Sequence, residues 1–107
     1  MNFDLLIDET LLKIEDAIEA GGWDIDFETA GGVLTLSFSD QSVIIINRQF
    51  ATQQLWVAAK SGGYHFDYIP DKGWVCDQAP SLLMPMLSRL CTEQASESIE
   101  LDQASTD

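Results

Sequence analysis

The stretch FDLLIDETLLKIEDAIEAGGWDIDFE, residues 3–28, decides the fold, because the spacing of its apolar side chains changes partway along it. Phe3, Ile7, Leu11, Ile14 and Ile18 recur at intervals of three and four, the spacing of one buried face on an α-helix. Gly21-Gly22 follows, glycine being the usual C-terminal stop. Beyond it Trp23, Ile25 and Phe27 alternate with Asp24, Asp26 and Glu28. That period of two predicts a strand from Trp23 to Glu28, with its large apolar side chains toward a core and its carboxylates toward water.

Residues 4–28 also carry nine of the chain's eighteen carboxylates and, in Lys13, a single basic residue. At 100° per residue, Asp4, Asp8, Glu15 and Glu19 fall in a stripe about 60° wide beside the apolar face, and Glu9 and Asp16 widen it toward solvent. Carboxylates on one strand face stand about 7 Å apart and repel by roughly 0.6 kcal/mol in water, or about 2 kcal/mol at an effective dielectric of 20. Glu19, near the helix C-terminus, adds an unfavourable dipole interaction of a few tenths to about 1 kcal/mol. Stability alone does not select this pattern. Solubility explains acidic faces in most chains; the alternative is that the two rows bind something.

The rest of the chain continues the period of two. Val33 to Phe38 places Leu34, Leu36 and Phe38 on one face after a turn at Gly31-Gly32. Ser42 to Gln49 is β-branched enough for a central strand and ends in the polar run Asn47-Arg48-Gln49. In Gln54 to Lys60, Leu55, Val57 and Ala59 form one face and Gln54, Trp56 and Ala58 the other; a phase error of one residue would make Trp56 core instead. Tyr64 to Tyr68 and Trp74 to Asp77 complete six strands separated by turn residues. From Ser81, a plausible N-cap, the period returns to helical through Leu83, Met86, Leu87 and Leu90. Ile99 and Leu101 are predicted to dock across the helices, ahead of a disordered tail at residues 102–107. The expected architecture is α+β: a two-layer sandwich with two helices on one face of a six-stranded antiparallel sheet, forming one domain over residues 1–101.

Composition narrows the function. The 107 residues suffice for one core, and the net charge of −13 opposes binding to nucleic acid or to an anionic membrane surface. A basic protein or a cation is the expected partner. Without an 18-residue apolar run, a signal peptide or a transit sequence, the expected location is the cytoplasm. Cys76 and Cys91 lack CxxC spacing and are expected to be reduced and partly buried. One histidine, His65, does not make a His-rich metal centre. Asp24-x-Asp26-x-Glu28 opens like an EF-hand loop, but Thr29 and Thr35 stand where that loop requires Gly and Glu. No Walker, GxGxxG or GxSxG motif is present, so the chain is not expected to be an enzyme; only a paired-carboxylate hydrolase stays open. What remains is an open array of hard oxygen donors, Asp8, Glu15, Asp16, Glu19, Asp24, Asp26 and Glu28. It suits weakly held, hydrated iron, magnesium, calcium or manganese. An outward Trp56 among amides and a guanidinium has the composition of a protein-binding hot spot.

Ile46-Asn47-Arg48-Gln49, Gln54-Leu55-Trp56-Val57-Ala58, Gly62-Gly63-Tyr64-His65-Phe66-Asp67 and Trp74 together closely resemble the frataxin family, its bacterial members in particular, and the similarity runs over residues 3–101. The resemblance implies a helices-on-sheet sandwich and a role in iron–sulfur cluster assembly, with iron bound along an acidic ridge. Glu15, Asp16 and Glu19 match the ridge positions on the helix, and Asp24, Asp26 and Glu28 those on the first strand. Asn47, Arg48, Gln49, Gln54 and Trp56 match the sheet surface that meets partner proteins. The implied partners are the cysteine desulfurase, whose basic patch receives the ridge, and the iron–sulfur scaffold protein. The chain is expected to be monomeric without metal. It departs from the bacterial pattern at Ala20-Gly21-Gly22, which replaces a run of further aspartates and implies weaker iron binding. Three roles follow: an iron-binding regulator of cluster assembly, an interaction module whose metal binding is incidental, or an iron chaperone, store or oxidase.

Overall fold

The computed structural model describes residues 2–78 and 81–101; the tail expected at residues 102–107 lies outside them. Helix α1 (Phe3–Gly21) forms where the apolar spacing places it. Asn2 caps it by accepting the Leu5 N–H at 3.1 Å, and Gly22 closes it at φ 68°, a left-handed conformation that costs glycine nothing. Ile7, Leu11, Ile14 and Ile18 are buried, with Ala17 between them.

Six strands follow: β1 (Ile25–Ala30), β2 (Val33–Phe38), β3 (Val43–Gln49), β4 (Gln54–Ala59), β5 (Gly62–Ile69) and β6 (Gly73–Cys76), then α2 (Leu83–Ala95). They pair in chain order, every pair antiparallel, so the sheet is an uncrossed meander with β1 and β6 at its edges. This is the architecture expected from the sequence. The β1 strand starts two residues later than alternation predicts. The Ile25 N–H bonds back to the Trp23 carbonyl at 2.9 Å, which turns the chain before the ladder begins.

Leu34, Leu36, Ile44, Ile46, Leu55, Val57, Phe66, Trp74 and Cys76 form the sheet's buried face, covered by the apolar stripes of α1 and α2. Their alternation leaves the opposite face to solvent. Leu82, not Ser81, stands at the N-cap of α2, and no side chain caps it. Ser81 is occupied as a strand would be, its carbonyl accepting the Cys76 N–H at 2.9 Å. Buried Gln94 ties α2 to the ends of the sheet. Its carbonyl oxygen accepts the Lys60 N–H at 2.9 Å, and its amide donates to the Ser42 hydroxyl at 2.9 Å and the Val43 carbonyl at 3.3 Å.

After α2 the chain folds back along it. Ile99 and Leu101 are fully buried, as expected, because the Thr92 hydroxyl donates to the Ile99 carbonyl at 3.1 Å and accepts its N–H at 3.0 Å. The Leu101 N–H donates to the Ser88 hydroxyl at 2.8 Å. Cys76 and Cys91 are free and buried, and burial pushes the Cys91 thiol up to about 12. No helix among the described residues is long and apolar enough to cross a membrane.

Replacing Thr92 with Val keeps the shape but leaves the Ile99 N–H and carbonyl without their partner; urea unfolding is expected to show a loss of about 1–3 kcal/mol. Thiolate is the reactive form of cysteine. Iodoacetamide at pH 8 should therefore modify Cys91 far more slowly in the native protein than in urea, as read by mass spectrometry.

Candidate functional site

Two groups of side chains stand out, an acidic row along α1 and the edge strand β1 and a cluster around Trp56 on the inner strands. The first is the acidic row. Asp8, Asp16 and Glu19 are exposed on α1, and Asp24, Asp26 and Glu28 are exposed on or just before β1. The strand's phase separates them. Ile25 and Phe27 turn toward the helices, so Asp26 and Glu28 stand on the open face of the sheet, opposite Ser37 and Thr35. Thr29 shares the phase of Ile25 and turns toward the helix layer, where its hydroxyl donates to the Glu15 carboxylate. Glu15 is accordingly half-buried, and this bond joins the helix part of the row to the strand part.

Trp23 fills the junction. Its half-buried side chain packs on the core beside Gly21, whose place any larger residue would contest, since a Cβ there would overlap the indole ring. Among the described residues no three His, Cys, Asp or Glu side chains converge closely enough to hold a metal ion. The donors along the row are all carboxylate oxygens, the ligand type that hard cations prefer.

The second group is on the open face of the sheet. Leu55 and Val57 are buried, so Trp56 points away from the helices, as alternation predicts. Register places it between Asn47 on β3 and His65 on β5, with Gln49 opposite Gln54 alongside. The indole lies on the His65 ring, centroids 4.3 Å apart and planes 22° from parallel. Its N–H donates to the Gln54 carbonyl oxygen at 3.0 Å. The Gln54 amide in turn donates to Asp67 at 3.1 Å and Asp77 at 3.3 Å, and Asp77 stands 3.7 Å from His65 Nδ1. The ring is held on one face by stacking and at its edge by a hydrogen bond.

Arg48 separates from the set that the sequence grouped with it. It shares the phase of buried Ile44 and Ile46 and pairs in register with buried Leu55, so its side chain leaves on the helix side. There it crosses Gly32, stands 3.5 Å from Asp4 and lies 4.5 Å over the Phe50 ring. Asn47, Gln49, Gln54 and Trp56 remain together. The sequence reading did not include His65, Asp67 or Asp77 in this surface. The shared phase of Trp56 with Gln54 was visible, but stacking and hydrogen bonding across strands depend on a register that turn lengths set.

A family model described as the frataxin-like domain matches residues 1–97. The chain is 47% identical over 98 residues to the iron–sulfur cluster assembly protein CyaY of Vibrio cholerae, covering 92% of this chain and 93% of that protein. It is 42% identical over 99 residues to the CyaY of Pseudomonas putida, covering 92% and 90%. A solved structure of frataxin from Psychromonas ingrahamii, described as a model for stability modulation within the CyaY family, superposes with a TM-score of 0.84 at 35% identity. That match covers 94% of this chain and 98% of the other.

Gly-to-Ala changes within helices usually stabilise by about 0.5–1 kcal/mol. At Gly21 the opposite is expected: Gly21→Ala should displace the Trp23 ring, lowering the midpoint of thermal unfolding and shifting tryptophan emission to the red.

Proposed function

This chain belongs to the frataxin-like family, and we propose that within iron–sulfur cluster assembly, the process for which its relatives are named, it acts as an iron-binding regulator. In this reading it docks on the cysteine desulfurase and its scaffold protein through the acidic row and the Trp56 face, and iron is cargo or signal, not a resident cofactor. The observation that carries the reading is the arrangement of the carboxylates. Seven of one sign, Asp8, Glu15, Asp16, Glu19, Asp24, Asp26 and Glu28, follow a helix and the edge strand beside it. Such a row repels itself and is relieved by a basic protein surface or by cations.

The Trp56 face supports the second half of the contact. A half-buried indole fixed by His65 and Gln54 loses little side-chain freedom on binding, which is the property of an interface anchor. Asn47 and Gln49 extend that face with amides able to hydrogen-bond a partner's backbone.

One observation favours a second reading, an interaction module whose metal binding is incidental: no three carboxylates converge among the described residues. The two readings separate on iron. The regulator's effect on desulfurase turnover changes between ferrous iron and chelator, while the module's does not.

Changing Glu15, Asp16 and Glu19 together to Lys is expected to abolish binding to the desulfurase in calorimetry. For the unchanged protein, affinity should fall steeply as salt is raised from low to high concentration, because the exposed charges are screened. Retained affinity in the triple variant would overturn the proposed docking surface.

A further inference from the structure

A recess of about 420 Å³ opens between α1, the β5–β6 hairpin and the start of α2, with Lys13 at its rim one helical turn before Asp16 of the acidic row. Its floor is apolar. Trp74 and Leu83 are almost fully buried there, Met84 is half-buried, and the Tyr68 ring meets Trp74 edge to face with centroids 5.3 Å apart. The one polar group of the Trp74 ring is already committed, donating to the Thr10 hydroxyl at 2.9 Å, and that hydroxyl donates to the Leu6 carbonyl at 2.7 Å.

The rim carries the opposite chemistry. Lys13 enters from α1 and Lys72 from the β5–β6 turn, where the Lys72 N–H donates to the Ile69 carbonyl at 2.9 Å. Arg89 borders a shallower depression that shares Leu82 and Pro85 with the recess. The chain has only five basic residues. Two of them, Arg48 and Lys60, stand within 3.5 Å and 3.7 Å of Asp4 and Asp40. Lys13, Lys72 and Arg89 form no ion pair among the described residues, although Glu9 precedes Lys13 by one turn and Asp71 adjoins Lys72. The Tyr68 hydroxyl has no hydrogen-bond partner among the described residues either. Donors without acceptors therefore surround an apolar floor on a molecule that otherwise repels anions.

We propose that this recess binds a small organic anion, a carboxylate carried on a flat apolar body. The body lies on Trp74, Leu83 and Met84, and the carboxylate sits between the Lys13 and Lys72 ammonium groups. The volume is within the range of small-molecule sites, about 300–1,000 Å³. A carboxylate gains most from two ammonium donors where one side of it is shielded from water.

The test is a heteronuclear NMR titration of the labelled protein with 1-naphthoate, and in parallel with uncharged 1-naphthalenemethanol and with inorganic phosphate. Naphthoate is expected to give saturable shifts at Thr10, Lys13, Tyr68, Lys72 to Trp74 and Leu82 to Met84. The double variant Lys13→Gln, Lys72→Gln should weaken naphthoate by about tenfold, the loss of its charge-assisted hydrogen bonds, and leave naphthalenemethanol unchanged. Both lysines are exposed, so the fold is retained, and the remaining shifts verify it. Equal affinity for acid and alcohol, the same shifts with phosphate alone, or no saturable shift at these residues would each overturn the proposal.

Discussion

Everything in this molecule depends on one-sided burial of an alternating sheet. Six strands follow each other without a crossover, so their inward side chains make one continuous apolar surface, and α1 and α2 cover it. Because successive side chains on a strand point to opposite faces, a slip of one residue in any strand would exchange its two faces. In β1 that slip would bury Asp26 and Glu28 and expose Ile25, at a cost no nearby group offsets. The left-handed turn residues hold the phase: Gly22 at φ 68°, Gly31 at 58° and Gly32 at 80° set where β1 and β2 begin. The position of the acidic row and of Trp56 is thus a consequence of the core, although neither contributes much to it.

The two exposed surfaces are built on different principles. The acidic row is a set of solvated charges that hardly touch each other, with one cross-link from Thr29 to Glu15. Its interactions are long-ranged, screened by salt and tolerant of geometry. The open face is a bonded network. Trp56, Gln54, His65, Asp67 and Asp77 hold each other within hydrogen-bond or stacking distance, so the indole is presented in one orientation. The first kind of surface accelerates and orients an encounter, and the second gives it register.

Much of this was legible because the signals were periodic. Phe3 to Ile18 specified α1, the glycine pair specified its end, and alternation through Leu34, Leu36, Ile44, Ile46, Leu55 and Val57 specified the strands, while the outward side of Trp56 rested on a phase that the register settled. Legibility failed where periodicity had no contrast. In Asn47-Arg48-Gln49 all three side chains are polar, so nothing in the run tells which one turns inward, and Arg48 was grouped with its neighbours. At the start of α2, Ser81 had the right chemistry for a cap, but pairing of its carbonyl with Cys76 moved the helix start past it.

The sequence by itself determined the elements, their order, the charge of the surface and, where apolar and polar residues alternate, which side chains of a strand share a face. Those properties follow from local spacing and composition, which one segment carries without its neighbours. The tertiary structure alone decided that Trp56 stacks on His65, that Glu15 meets Thr29, that Arg48 reaches Asp4, and that Lys13 and Lys72 line one recess with Trp74. Each of those contacts joins segments distant in the chain. Its geometry depends on strand register and helix placement, which are set by packing the whole core at once.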